Sequence, residues 1–260
     1  MSHVDQLFAL DGTVAVVIGG AGKIGLPIVE ALAEAGATVW IASPRPESLE
    51  RALNRMSSSG LQCHGIELDQ AEESSIESAL RTITTKTGAP SVLVNSGVER
   101  PMRKFLDDTA EAWDRSMAVN ARGLFLTCRS FARVMAASGG GSIINVGSVY
   151  GLVAPDPSIY EGTEVGTEPD YPYTKGGMIQ FTRYLAAYFA KSKVRVNCLC
   201  PGGLYNHQDE RFVERYNKKV PMGRMASEED LKGPALFLAS RASQYVTGVV
   251  LPVDGGMSVW

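Results

Sequence analysis

Seven short apolar segments alternate with longer amphipathic segments, and this alternation is the feature that most constrains the fold. The apolar segments predict strands at 13–19, 38–42, 61–68, 91–96, 142–148, 193–199 and 249–254. The amphipathic segments predict helices at 24–35, 46–58, 72–87, 110–137, 172–190 and 228–239. Short strands that are apolar almost throughout are typical of parallel sheets buried on both faces. We therefore predict an α/β protein with a doubly wound parallel sheet of about seven strands and helices on both faces.

Length and composition are consistent with one large domain over 1–260 and argue against several functional classes. The net charge of −3 gives no overall attraction to nucleic acid or to an anionic membrane surface. No apolar run is long enough to cross a bilayer, and the first residues lack the pattern of a signal peptide. We therefore expect a cytoplasmic protein that binds neither nucleic acid nor membrane.

The four cysteines form no CxxC pair and predict no metal site. Cys198 and Cys200 are two residues apart in a predicted strand, so their side chains are expected on one face. Buried cysteines of this kind usually pack as small apolar groups.

Polar or glycine-rich residues follow the first six predicted strands. In a doubly wound sheet, ligands bind at the carboxyl ends of the strands, so these residues are expected to converge on one edge. They are Gly19–Gly22, Ser43–Arg45, Asp69, Asn95–Gly97, Ser148 and Pro201–Gly203.

The first of these stretches, AVVIGGAGKIG, predicts a strand, a tight glycine turn and a helix. Backbone N–H groups at such a helix N-terminus suit a pyrophosphate, and Gly25 would allow close packing of the helix on the strand. An ordinary strand–helix turn is the alternative, because one glycine-rich loop is weak evidence for a nucleotide site.

The end of the second predicted strand favours NADP over NAD. NAD sites commonly place an acidic residue there for the ribose 2′-hydroxyl, whereas IASPRPE has no acid before Glu47. Ser43 and Arg45 could instead bind a 2′-phosphate, and Lys23 could add a second positive charge. The alternative is that both cations are solvated surface charges.

Tyr171 and Lys175, within YPYTK, are one helical turn apart and predict an acid–base pair. A nearby ammonium group favours the phenolate form of a tyrosine, which makes that tyrosine a useful proton donor and acceptor. The same spacing often occurs by chance. The preceding Ser148, which ends a buried strand at the ligand-binding edge, adds weight to the catalytic interpretation.

Taken together, the motifs resemble those of the short-chain dehydrogenase/reductase family, which has a Rossmann fold. The matching pieces are IGGAGKIG, Asp69, the NSG at 95–97, Asn120 in MAVNARG, INVGS, YPYTK, RVNCLCPGG and YVTG followed by VDGG. They extend from Gly19 to Gly256 in the family's order.

The resemblance implies a catalytic tetrad of Ser148, Tyr171, Lys175 and Asn120. In the family, the tyrosine exchanges a proton with the substrate, the serine bonds the same oxygen, the lysine supports the tyrosine and holds the nicotinamide ribose, and the asparagine holds a relay water. Asp69 would contact adenine, Asn95 the adenosine side of the cofactor, and Pro201 and Gly202 the nicotinamide. The remaining implied cofactor contacts are Gly19, Gly22, Lys23, Ile24, Ser43, Arg45, Ser96, Gly97, Leu204 and the two catalytic residues Tyr171 and Lys175.

Some positions depart from the family pattern. Ile18 and Lys23 stand where threonine and glycine are frequent, Ser96 replaces an alanine, and PGGLYNHQ lacks the usual threonine. Tyr171 follows Ser148 by 23 residues, a longer interval than the family usually has. The extra residues predict an insertion at about 153–169 that borders the active site.

Polar side chains in this insertion and in two neighbouring segments predict a polar, sugar-like substrate. A substrate lid is expected at about 203–226. The substrate candidates are Ser148, Tyr160, Glu161, Thr163 and Glu164, then Arg100, Arg103 and Lys104 for a phosphate or carboxylate, and Asn206, His207 and Gln208 in the lid. The alternative is a solvated loop or a subunit contact.

The sequence also resembles, more narrowly, short-chain oxidoreductases linked to flagellin-glycan and nonulosonate biosynthesis. We predict an NAD(P)-dependent enzyme that interconverts an alcohol and a carbonyl, with NADP(H) preferred. A 3-oxoacyl or small-ketone reductase and an inactive nucleotide-binding protein are the alternatives. By resemblance, the helices at 110–137 and 172–190 pair between subunits, giving a homo-oligomer, either a tetramer or a dimer.

Overall fold

The central strand β1 (Val14–Ile18) is buried along its whole length and pairs with a parallel strand on each side. The computed structural model describes residues 2–163 and 165–260. The sheet has seven strands, all of them parallel to their neighbours, in the order β3-β2-β1-β4-β5-β6-β7. The predicted doubly wound sheet is therefore confirmed. The other strands are β2 (Thr38–Ser43), β3 (Cys63–Glu67), β4 (Val92–Asn95), β5 (Gly141–Val146), β6 (Val194–Pro201) and β7 (Val250–Val253).

Helices connect the strands and cover both faces of the sheet. Their bounds are α1 (His3–Phe8), α2 (Gly25–Glu34), α3 (Pro46–Ser58), α4 (Glu73–Thr87), α5 (Ala110–Met117), α6 (Leu124–Ala137), α7 (Pro157–Tyr160), α8 (Asp170–Phe189), α9 (Glu210–Lys219) and α10 (Glu229–Ala239). None of the helices in the described residues is long and apolar enough to cross a membrane.

One predicted helix was wrong in detail. The segment 110–137 is not a continuous α-helix, because a π-helical segment over Ala118–Gly123 separates α5 from α6. This segment carries Asn120. A π-helical turn inside an α-helix is often found at a functional site, because it shifts the backbone and its side chains out of the regular register.

The two faces of the sheet are covered by different helices. Alternating residues of β1 enter opposite cores: Val16 packs with residues of α4, α6 and α8, whereas Val17 packs with residues of α2, α3 and α10. Period-two alternation explains this division, since successive side chains of a strand point to opposite faces. The strands β3 and β7 differ from the others, because they lie at the two edges of the sheet and are only partly covered.

A third apolar cluster joins the predicted insertion to the predicted lid. Ile159 of α7 packs in one cluster with Phe212 and Tyr216 of α9, and the aromatic centroids of Tyr160 and Phe212 are 5.4 Å apart. Neither helix was predicted from the sequence. We call the described residues of the segments 153–169 and 203–226 together the roof, because these segments follow the carboxyl ends of β5 and β6, on the edge that carries Ser148.

The first and last residues of the lid lie next to each other. Leu204 and Ala226 form an isolated parallel bridge, in which the Tyr205 N–H donates to the Ala226 carbonyl at 2.9 Å. The Ala226 N–H donates to the Gly203 carbonyl at 2.9 Å. The segment between them is thus a closed loop whose two ends are fixed against each other.

Candidate active site

The glycine turn after β1 is packed tightly against the end of β4. Gly19 has a φ of +73°, and a Cβ atom there would lie 2.6 Å from the Cα of Gly97. Ser96 adds a contact that the alanine usual in the family could not make, because its Oγ donates to the Ile18 carbonyl at 2.8 Å. No described side chain caps the N-terminus of α2. The Leu26 N–H donates to the Gly22 carbonyl at 2.9 Å, so an anion such as the pyrophosphate of a dinucleotide would be bound by the N–H groups that precede Leu26.

The two predicted 2′-phosphate residues lie together after β2. Ser43 is buried and ends the strand, and its Oγ accepts a hydrogen bond from the Arg45 N–H at 3.2 Å. The side chains of Arg45 and Lys23 are exposed, and neither forms an ion pair with a described residue. This edge of the site thus offers a hydroxyl group and two uncompensated cations.

Asp69 is exposed just beyond β3, with Oδ1 accepting from the Ala71 N–H at 2.9 Å. The next residue, Gln70, was not predicted from the sequence. Its Nε2 donates to the Val119 carbonyl at 2.9 Å and so ties this loop to the π-helical segment. The one feature of the sequence that could have indicated Gln70 is its polar side chain next to the predicted cofactor contact Asp69.

The side chain of Asn95 points into the protein interior. It is almost fully buried, and its Nδ2 donates to Asn145 Oδ1 at 2.8 Å and lies 3.3 Å from the sulfur of Cys128. Its Oδ1 has no hydrogen-bond partner among the described residues. The side chain thus links β4 to β5, and a contact of Asn95 with the adenosine side of the cofactor would have to come from its backbone.

Ser148, Tyr171 and Lys175 come together where β5 ends. Lys175 is almost fully buried, and its Nζ donates to the Val146 carbonyl at 2.6 Å and lies 5.6 Å from the centroid of the Tyr171 ring. Ser148 follows two residues after that carbonyl, and its Oγ accepts from the Tyr150 N–H at 3.1 Å. The ammonium group is therefore fixed by the strand that also presents the serine.

Cys198 and Cys200 lie on one face of β6, the strand next to β5, and their sulfur atoms are 3.6 Å apart. The prediction that alternation places both on one face is confirmed.

Asn120 uses all of its side-chain hydrogen-bonding groups on protein partners. Its Oδ1 accepts from the Glu99 N–H at 2.9 Å, and its Nδ2 donates to the Glu99 carbonyl at 2.6 Å and to Ser116 Oγ at 3.0 Å. The side chain therefore fixes the backbone of the loop after β4, and a relay water in contact with Asn120 would have to use its main chain.

Arg100 connects this loop to the insertion and covers the tyrosine. Its guanidinium carbon lies 4.6 Å from the centroid of the Tyr171 ring, and its Nη2 donates to the Gly166 carbonyl at 2.8 Å. Thr167 Oγ1 lies 3.5 Å from the same nitrogen and donates to the Tyr160 hydroxyl at 3.1 Å. None of the carboxylates in the described part of the chain forms an ion pair with Arg100.

Four tyrosines are grouped at this point. The Tyr160 hydroxyl donates to the Tyr150 hydroxyl at 2.5 Å. Burial raises the pKa of both groups, and it raises the pKa of Tyr216 to about 12; the nearby Tyr171 adds to the shift in all three cases. These hydroxyls therefore stay protonated near neutral pH and can serve as hydrogen-bond donors.

The nicotinamide end of the predicted site lies at the join between sheet and lid. Pro201 is the buried last residue of β6, and the Gly202 N–H donates to the Val253 carbonyl at 3.0 Å. The next N–H, that of Gly203, donates to the Tyr216 hydroxyl at 2.5 Å. Leu204 then starts the lid by pairing with Ala226.

Several predicted substrate residues make their described contacts with residues other than Tyr171. Arg103 folds back on its own loop, where Nη1 donates to the Arg100 carbonyl at 2.9 Å, and Lys104 is exposed beside it. Among the other candidates, the Glu161 carbonyl accepts from Arg215, and the Thr163 hydroxyl donates to the Tyr160 carbonyl. Asn206, His207 and Gln208 lie near the exposed start of the lid. Glu164 lies outside the described residues.

Comparisons with known proteins identify the family of this chain. A family model described as enoyl-(acyl carrier protein) reductase matches residues 19–258. The galactitol 2-dehydrogenase (L-tagatose-forming) of Cereibacter sphaeroides is 34% identical over 98% of this chain and 98% of its own.

Two solved structures are similar over nearly the whole chain. The gluconate 5-dehydrogenase of Burkholderia cenocepacia in complex with NADP and tartrate has a TM-score of 0.89 and 32% identity, covering 99% of this chain and 100% of its own. A short-chain dehydrogenase of Leptospira borgpetersenii with bound NAD⁺ has a TM-score of 0.87 and 32% identity, covering 99% and 96%. The chain belongs to the short-chain dehydrogenase/reductase family and is an NAD(P)-dependent oxidoreductase.

Proposed function

We propose that the protein interconverts an alcohol and a carbonyl on a sugar-like substrate and that it prefers NADP(H). The observation that carries the reaction class is the position of Lys175, buried against the Val146 carbonyl and 5.6 Å from the Tyr171 ring. A fixed ammonium group beside a phenol is the arrangement that acid–base catalysis by tyrosine needs.

Each residue of the group then has a separate task. Tyr171 gives a proton to the carbonyl oxygen in reduction and takes it from the hydroxyl in oxidation. Ser148 holds the same oxygen and stabilises the charge that develops on it. Asn120 fixes the loop that carries Arg100, through the Glu99 backbone. The nicotinamide cofactor, when bound, donates or accepts the hydride.

The cofactor preference rests on the end of β2. The uncapped N-terminus of α2 suits the pyrophosphate of either dinucleotide. Ser43, Arg45 and Lys23 supply a hydroxyl group and two free cations near the ribose, where no acidic residue follows the strand directly. A 2′-phosphate would be attracted by this set.

The substrate class rests on the polar face of the roof. Arg100 lies over Tyr171 and offers a cation and N–H donors for a carboxylate or a hydroxyl group. The hydroxyl oxygens of Tyr160 and Thr167 lie beside it and can accept from substrate hydroxyl groups. An acyl chain would need an apolar surface there instead. The relatives named for galactitol and gluconate make a sugar alcohol or a sugar acid the first substrates to test. The narrower resemblance to nonulosonate enzymes stays a prediction.

We further propose a cytoplasmic homo-oligomer. Phe125 on α6 and Tyr184 and Tyr188 on α8 are large aromatic side chains that are all more than two-fifths exposed. Exposed apolar residues on adjacent helices suit a second copy of the chain. The oligomeric state can be measured by light scattering, and a monomer with unchanged activity would contradict this part.

The proposed reaction is tested by following nicotinamide absorbance with three substrate classes. These are neutral polyols, aldonic acids, and a 3-oxoacyl thioester, each measured with both cofactors. Turnover of a polyol or aldonic acid is expected to exceed that of the thioester. Faster turnover of the thioester would favour the acyl reductase, and cofactor binding without turnover of any class would favour an inactive nucleotide-binding protein.

A further inference from the structure

A buried carboxylate next to the catalytic tyrosine is not explained by the reaction described above. Asp170, the first residue of α8, is 1% exposed. Its Oδ2 accepts a hydrogen bond from Ser116 Oγ at 2.6 Å, and no described residue forms an ion pair with it. Burying a carboxyl group costs folding free energy, which one hydrogen bond to a neutral hydroxyl offsets only in part.

The direction of the hydrogen bonds around Ser116 is fixed by chemistry. Ser116 is fully buried, and its Oγ accepts from Asn120 Nδ2 at 3.0 Å. The amide nitrogen can only donate, so the hydroxyl hydrogen of Ser116 points to Asp170. The result is a chain of two hydrogen bonds from Asn120 through Ser116 to Asp170.

Asn120 also fixes the backbone of the loop after β4, which carries Arg100. Asn120 binds both the N–H and the carbonyl of Glu99, the residue before Arg100. Asp170 is the residue before Tyr171. The guanidinium carbon of Arg100 lies 4.6 Å from the centroid of the Tyr171 ring. Arg100 therefore follows a residue that binds Asn120 directly, and Tyr171 follows a residue that is linked to Asn120 through Ser116.

We propose that Asp170 and Ser116 are positioning residues that set the place of Tyr171 relative to Asn120 and to the Arg100 loop. The proposal rests on the proposed function, in which Tyr171 transfers the proton. A hydrogen-bonded chain joins two segments at a fixed separation, and a shift of the tyrosine by a fraction of a bond length is enough to slow proton transfer.

A simpler role for Asp170 makes different predictions. A negative charge in the first turn of a 20-residue helix is stabilising by itself. That role requires the charge and not the contact with Ser116. Asp170→Asn would then be as harmful as Asp170→Ala, and Ser116→Ala would leave turnover unchanged.

The kinetic test compares variants of both residues in the full chain. Asp170→Ala and Ser116→Ala are each expected to lower kcat about 30-fold, with the NADPH dissociation constant unchanged within about twofold. Asp170→Asn is expected to keep at least about a third of kcat, because its Oδ1 accepts the same hydrogen. Ser116→Thr, which keeps the hydroxyl group, is the rescue variant. The double variant is expected to lose no more than either single one, because the two residues act through one contact.

The control is Ser142→Ala, which removes another buried hydroxyl group, bonded to the Leu238 carbonyl at 2.8 Å at the start of β5. It shows how far the loss of a buried serine hydroxyl lowers the melting temperature without affecting the site. If Ser116→Ala lowers the melting temperature as Ser142→Ala does but keeps kcat within about twofold, the positioning role is wrong.

A second readout does not depend on turnover. Hydrogen exchange of the backbone over 97–104 is expected to become faster in Ser116→Ala and in Asp170→Ala, because the Glu99 amide loses support from Asn120. Ser142→Ala should leave it unchanged, and unchanged exchange in all three variants would overturn the proposal. If Tyr171→Phe remains active, the proposed function fails, whereas an inactive Tyr171→Phe with active Ser116→Ala overturns the positioning role alone.

Discussion

The edge of the sheet and the roof above it are held by different kinds of contact. At the edge, the glycine turn meets the backbone of Gly97, and Lys175 bonds the main chain at Val146. In the roof, a backbone bridge closes the lid, but the insertion and the lid are joined to each other through side chains, such as the ring of Tyr160 on that of Phe212 and the ion pair of Asp156 with Lys219 at 2.7 Å. Backbone contacts depend little on which side chains surround them, whereas side-chain contacts change with every substitution. We therefore expect the edge to keep a constant reaction and the roof to determine which substrate is accepted.

The strongest test of this division is the tyrosine at the edge. Tyr171→Phe removes the proton donor and is expected to lower kcat about 1000-fold for every substrate class, while NADPH binding stays within about twofold. Stopped-flow absorbance and cofactor fluorescence measure the two quantities. Tyr173→Phe is the control, because that side chain is 64% exposed two residues along the same helix. A loss confined to one substrate class would place the tyrosine in substrate selection instead.

Arg100 tests whether the roof selects the substrate. Arg100→Met is expected to lower kcat/KM about 30-fold for an aldonic acid and about threefold for a neutral polyol, since a hydrogen bond to a charged group contributes more than one to a hydroxyl. Arg103→Met, which alters a guanidinium that bonds its own loop, should change both by less than about twofold. Equal losses for the acid and the polyol would mean that Arg100 acts only by covering Tyr171.

The binding of NADPH and NADH tests the contacts at the edge of the sheet. Arg45→Ala is expected to weaken NADPH binding about tenfold and Lys23→Gly about threefold, with NADH binding changed by less than about twofold. Fluorescence titration with both nucleotides gives these ratios. Tighter binding of NADH by the unaltered protein would contradict the assignment of Ser43 and Arg45.

The smallest effect is expected in the ion pair that joins the two parts of the roof. Lys219→Met should raise KM about twofold and leave kcat unchanged, because both groups are partly exposed. Hydrogen bonds from Lys219 and Ser158 lower the pKa of Asp156 to about 2. The contribution of this depressed pKa is complete above the unfolded value near 4 and is lost as the pH falls through about 2. KM measured between pH 5 and 8 should therefore show no step from this pair.

Local patterns explain why the edge could be predicted from the sequence. The strands at 13–19 and 142–148 are apolar runs that end at a turn, and Tyr171 and Lys175 are one helical turn apart. Each of these signals lies within a few residues of the group it positions. The parallel topology then brings the strand ends together without further information.

Most of the roof, the π-helical segment and the contact between Ser116 and Asp170 gave weaker signals. Ser116 and Asp170 are 54 residues apart, and nothing in either local sequence indicates their contact. The segment AVNARG combines Ala and Arg, which favour an α-helix, with Val, Asn and Gly, which favour it less, and this mixture does not indicate a π-helical turn. The turn also carries a tertiary contact, that of Gln70 with the Val119 carbonyl. The helix α9 did carry a signal, because Phe212, Val213 and Tyr216 repeat at helical spacing among charged residues.

The bridge between Leu204 and Ala226 makes the lid a replaceable part. Because its ends already meet, a lid of another length or composition can be joined at the same two residues with little change in the entropy of closing the loop. The lid does not stand alone, however, since Phe212 and Tyr216 share an apolar cluster with Ile159 of the insertion. Exchange of substrate preference between members of this family should therefore succeed when both segments are transplanted as a pair, with the sheet and the proton-transfer residues of the recipient left as they are.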